Sequence, residues 1–135
     1  MKSFREEHGA VAVEFALILP VLLLLLLGIA EFGRAYNAQI SLTHAARESV
    51  RALAITNDAS AAVTRARDAA PSLLPALSAG NVAVSFADSA APHASRSSCG
   101  AGRDAIITIS YPLQSLTGIA GPFNLTGRGV MRCAG

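Results

Sequence analysis

The sequence specifies an α+β chain: a long apolar helix at the amino end, then a small domain with a short helix and roughly three antiparallel strands. Three observations carry this. Residues 10–30 form an apolar run in which Glu14 is the sole charge. Helical periodicity continues past that run to about residue 55, and no proline falls between positions 21 and 70. From Val82 onward the apolar period drops to two, the spacing of half-buried strands.

The amino-terminal element comes first. A helix over 10–30 rises about 30 Å, enough to cross the hydrocarbon core of a bilayer. Lys2 and Arg5 before it favour a cytoplasmic amino end, because acidic residues such as Glu6 and Glu7 count little in that bias. Glu14 is costly inside lipid, by about 2.5–3.5 kcal/mol on insertion scales, so it demands a purpose. A cut after Gly9 would supply one. It would free an amino group on Ala10, positive at neutral pH and one helical turn from the Glu14 carboxylate.

Gly9, Ala10, Glu14 and Phe15 together resemble the prepilin-peptidase site of type IV pilins, in which glycine precedes the cut and glutamate is the fifth mature residue. The string from Gly9 to Pro20, the leucines 22–27 and Gly28-Ile29-Ala30-Glu31-Phe32-Gly33-Arg34 resemble the TadE-like family of the tight-adherence (Tad, or Flp) pilus system. The resemblance covers about residues 9–54. It implies a minor pilin-like subunit (a pseudopilin), with 1–9 a leader, 10–30 a transmembrane helix, 31–55 its extension and 56–135 a small periplasmic domain. The implied partners are prepilin peptidase, other pilin-like subunits, an inner-membrane assembly platform and the lipid bilayer; no nucleic acid is expected. The implied location is the bacterial inner membrane, crossed once, with the carboxyl-terminal domain outside and possible incorporation into a pilus. A second reading uses the same residues. Lys2 and Arg5 could open a secretory signal cut after Gly28-Ile29-Ala30, or the helix could be a simple anchor, leaving a small secreted or membrane-anchored binding protein. An apolar run this long, holding Glu14 and Pro20, suits a retained helix better than a disposable signal.

Pro20 lacks an amide proton and crowds the carbonyl of Ala16, so a kink or loosening is expected there. In the resemblance it is an assembly residue, as is Glu14. Beyond the membrane run, Phe32, Tyr36, Ile40, Thr43, Ala46, Val50 and Leu53 recur at three or four positions and predict one apolar stripe. Glu48 and Arg51 are spaced as a favourable i,i+3 pair. Thr56-Asn57-Asp58 should end the helix, with Asp58 capping a second one over 59–70 that places Val63, Ala66 and Ala70 on one face. Leu73, Leu74 and Leu77 predict an apolar cluster, and Ala79-Gly80-Asn81 a turn.

Val82, Val84 and Phe86 alternate with small residues and predict a first strand. Residues 87–103 read as a loop. Ile107, Ile109 and Tyr111 predict a second strand ending at Pro112. Phe123, Leu125, Met131 and Cys133 share one parity of a third, in which Gly127 and Gly129 suggest a bulge or bend. An antiparallel meander would bring Cys99 and Cys133 to one sheet edge. In the oxidising compartment that the resemblance implies, two cysteines in a weakly cored domain suggest a disulfide staple, free thiols and an interchain bond being the alternatives.

No enzymatic chemistry is legible. His8, His44 and His93 stand apart from one another, no Cys/His spacing suggests zinc, and the acids show no pairing suited to acid–base work. A net charge of +2, with Arg47, Arg51, Arg65 and Arg67 as the nearest thing to a basic patch, reads as a solvated face of two helices. The sequence therefore predicts a structural subunit with no catalytic residue, metal or cofactor.

Overall fold

The computed structural model describes residues 4–90, 95–118 and 121–133. Its longest element, helix α1, runs Phe4–Thr56 without interruption. It starts earlier than the expected position 10, since Arg5, Glu6 and Glu7 are good helix formers and acids suit the positive end of a helix dipole. Pro20 lies inside the helix. The chain divides into two units, Met1–Arg34 and Ala35–Gly135.

The first unit is the apolar half of α1. All of its described residues from Gly9 to Ala30 are exposed. Its best 18-residue window has mean hydropathy 2.8 with none of it buried, which makes this helix long and apolar enough to cross a membrane.

The second unit begins with residues 35–56 of α1, which pack on a sheet. After α1 come α2 (Ala59–Asp68), a 3-10 turn at Ala79–Asn81, and strands β1 (Val82–Asp88), β2 (Ser95–Arg96), β3 (Arg103–Leu113) and β4 (Phe123–Arg132). Strand order is β2-β1-β3-β4, with every neighbouring pair antiparallel. The expected meander is therefore present as β1, β3 and β4. The stretch read as loop 87–103 adds the two-residue β2, whose Ser95 and Arg96 pair with Ala87 and Phe86. Strand β3 outlasts the expected stop at Pro112. Its neighbour β1 ends with Val82 opposite Ile109, so Pro112 has a partner on one side only and its missing amide costs no ladder bond there.

The inward parity of β3 is as expected: Ile107, Ile109 and Tyr111 are buried, joined by Ala105 and Leu113. Against them sit Ala38, Leu42, Ala45, Ala46, Val50 and Leu53 of α1 and Ala62 and Ala66 of α2. The expected stripe on α1 is half right. Ala46, Val50 and Leu53 are buried, whereas Tyr36 is 71% and Ile40 52% exposed, and Phe32 in the first unit is 79% exposed. For Tyr36 and Ile40 the reason lies on β4. A Cβ placed on Gly127 would meet the Leu42 carbonyl oxygen at 2.5 Å, and one on Gly129 would strike the carbonyl of Ala46. Helix backbone and strand backbone are in direct contact, so the helix offers its small residues and turns its bulky ones away.

Gly127 and Gly129 thus mark a close approach, not the expected bulge. The β3–β4 register runs unbroken from Asp104↔Arg132 to Leu113↔Phe123. Two further apolar expectations fail at surface positions. Leu74, next to a cis peptide bond with Pro75, is 78% exposed while Leu73 and Leu77 are buried. Met131, near the end of the open edge strand, is 40% exposed. Tyr111 closes the loop over the core by donating its hydroxyl to the Pro75 carbonyl at 2.7 Å.

Candidate functional site

The residues singled out for processing and assembly all lie on the first half of α1. Gly9, Ala10, Glu14, Phe15 and Pro20 are each exposed, and a continuous helix carries them. Ala10 and Glu14 are four positions apart and hence on one face, a turn from each other. Among the described residues no ion pair involves Glu14. A Cβ on Gly9 would meet nothing within 4 Å, and the same is true of Gly28 and Gly33. Nothing in the fold of this chain therefore requires glycine at these three positions.

Past the membrane run, exposed bulk continues along α1. Phe32 stands out in the first unit, and Tyr36 and Ile40 in the second, facing away from the sheet. Glu31 is buried. Arg47, Arg51 and Arg65 are exposed, while Arg67 donates from Nε to the Leu77 carbonyl at 3.2 Å and so braces the loop after α2. The basic residues are thus spread over two helices with one of them spent on a structural bond. No ion pair joins Glu48 and Arg51 among the described residues, despite their favourable spacing.

Cys99 and Cys133 are joined in a disulfide with a Cα–Cα distance of 5.4 Å. The meander puts them together as expected: Asp104 pairs with Arg132, and the Cys133 amide donates to the Arg103 carbonyl at 2.9 Å. The Cys99 amide in turn donates to Asn57 Oδ1 at 2.9 Å. The staple therefore fastens three places at once, the α1–α2 junction, the loop before β3 and the end of β4.

Asn57 is the residue sequence reasoning undervalued. Its φ of 52° is left-handed, and its amide donates to the Leu53 carbonyl at 2.9 Å, an αL helix stop. Asparagine tolerates that conformation better than other side-chain-bearing residues, and its amide side chain then serves the cysteine loop. A lone Asn directly before a capping Asp was the available signal. Asp58 caps α2 as expected, accepting from the amides of Ser60 and Ala61. The Ser60 hydroxyl, followed by the Ser60 and Ala61 amides, stabilises the carboxylate and holds its pKa below the ordinary range.

Among the described residues no group of His, Cys, Asp and Glu could hold a metal. His44 is an exposed helix residue, and His93 and Lys2 lie outside the described residues. No curated protein and no solved structure matches the chain. The family model described as TadE-like protein matches residues 9–51, from the glycine before Ala10 through the part of α1 that lies on the sheet. That segment, which holds Glu14, Pro20 and the leucine run, is similar to the TadE-like family.

Proposed function

We propose that the protein is a minor pilin-like subunit, a pseudopilin, needed to assemble a Tad/Flp-type pilus or secretion machine. In this reading prepilin peptidase removes residues 1–9, leaving Ala10 as the mature amino end. The amino terminus starts in the cytoplasm, 10–30 span the bacterial inner membrane, and the sheet domain lies outside. The observation that carries the reading is an unbroken helix whose lipid-length apolar half bears one carboxylate at the fifth position after a glycine, inside the segment that matches the family model.

Assembly follows from the same chemistry. Apolar side chains from Val11 to Ile29 have no cover within the chain, so they serve lipid first and neighbouring helices afterwards. Glu14 and the new Ala10 ammonium offset one another, across neighbouring subunits where the geometry allows, because an unpaired charge in an apolar medium is expensive. Pro20 lets this helix loosen as it packs. The assembly platform of the membrane and other pilin-like subunits are the partners.

The amino-terminal residue of the mature protein tests the reading. Ala10 is the expected result; Glu31 would mean a cleaved signal, and an intact Met1 a plain anchor. Glu14→Ala should leave membrane insertion intact or improved while lowering incorporation into the assembled machine. Loss of insertion would count against the role given to Glu14.

A further inference from the structure

We propose that Gly9 acts in processing as the weak point of a helix that must open before it can be cut. The inference rests on the processing reading above and concerns how this chain presents its scissile bond.

Helix α1, described from Phe4 onward, runs straight through the Gly9–Ala10 peptide bond. In that conformation the Gly9 carbonyl accepts from the amide of Val13, and the Ala10 amide donates to the carbonyl of Glu6. Hydrolysis adds water across this bond. The hydroxyl goes to the Gly9 carbonyl carbon, the C–N bond breaks, and a proton goes to the Ala10 nitrogen, leaving a carboxylate and an ammonium. A carbonyl carbon wrapped in helix is closed to that attack, so the backbone around positions 8–12 must first unwind.

The sequence is weakest where opening is needed. Gly9, Val11 and Val13 are poor helix formers set between Arg5, Glu6 and Glu7 on one side and the leucines 22–27 on the other. A Cβ on Gly9 would meet nothing, so glycine is not there to make room in this chain. What it changes is the open population. Alanine in its place lowers that population about fivefold, the helix-propensity difference between the two residues. When opening and closing are fast relative to cutting, the cutting rate falls in proportion.

The test is the cleavage rate of the full-length protein by prepilin peptidase in detergent micelles, read by mass of the released leader. Gly9→Ala should slow cutting about fivefold, and Ala12→Gly added to it should restore the rate. Ala12→Gly alone should speed cutting about fivefold. Hydrogen exchange at amides 10–13 verifies that the added glycine loosens the helix. Faster exchange without faster cutting, or a Gly9→Ala defect that Ala12→Gly leaves unrepaired, overturns the inference and points to a peptidase pocket that reads position 9 directly. A wild-type chain left uncut between Gly9 and Ala10 instead overturns the processing reading itself, and this inference with it.

Discussion

Replacing Gly129 with alanine is the sharpest perturbation of the sheet domain. The new methyl group would strike the Ala46 carbonyl and come within 3.0 Å of a Val50 methyl. Gly127→Ala would meet the Leu42 oxygen at 2.5 Å and its carbonyl carbon at 2.7 Å. Ordinary contact lies near 3.5 Å, so α1 would have to withdraw by about 1 Å. The atoms in the way are backbone, which no rotamer change can move. A gap of 0.5–1 Å costs the facing atoms about a quarter to a half of their dispersion energy. Overpacking of this kind typically costs about 1–3 kcal/mol, and alanine returns about 0.5–1 kcal/mol by stiffening the strand. Because the clash is with a rigid helix, a net loss of about 2 kcal/mol is expected for each glycine. For a domain of about 100 residues that lowers the melting temperature by roughly 8–16 °C. Thermal unfolding of a soluble chain beginning at Ala35 checks it, with Gly80→Ala as control, since the nearest atom there is a Ser78 hydroxyl at 3.9 Å. A Gly129→Ala domain that melts with or above the parent would refute the close approach as the reason for glycine.

Three further outcomes are expected. Reduction of Cys99–Cys133, whose partners are 34 positions apart, should destabilise the domain by about 3–4 kcal/mol in the chain-entropy model, and the unreduced monomer should weigh two hydrogen atoms less than the dithiol. Asn57→Gly should be milder than Asn57→Ala, measured by denaturant midpoint, since glycine keeps the left-handed stop and loses only the bond to the Cys99 amide. The cap at Asp58 is strongest with its carboxylate ionised. Its folded pKa is depressed, so its stabilisation is complete above the ordinary carboxylate range and fades as pH falls through the lower folded value; Asp58→Ala should flatten that part of the stability–pH curve.

Much of this architecture is legible in the residues, and the failures share a cause. Strand parity at Ile107, Ile109 and Tyr111 is set by alternation alone, and antiparallel order follows from short connections, which is why the cysteine pair could be placed. The Asp58 cap is equally local. Choosing the buried face of α1 was harder. Phe32, Tyr36 and Ile40 look like core because they are large and regularly spaced, whereas the true contact uses Ala38, Ala45 and Ala46. Small residues win there only because two glycines lie on a strand far along the chain, and no periodicity within the helix reports that. The strand β2 was missed for a similar reason: two polar residues have no pattern, and their pairing depends on β1. At the amino end, Gly9 and Glu14 are readable as chemistry, while the continuity of the helix through Gly9 and Ala10 leaves no mark in the residues.

The contact between α1 and β4 also fixes a timetable. Gln39 donates its side-chain amide to the Thr126 carbonyl, a bond spanning 87 positions, so the helix meets its last partner only when the carboxyl end of the chain exists. At synthesis rates of about 5–20 residues per second, the turns bearing Leu42 and Ala46 wait roughly 4–17 seconds for β4 after they are made. Throughout that interval the nascent chain carries two adjacent sticky surfaces, one destined for lipid and one for its own final strand. Delivering the first half of α1 to the membrane during translation separates the two, and a ribosome stalled before Phe123 leaves the second without its β4 cover.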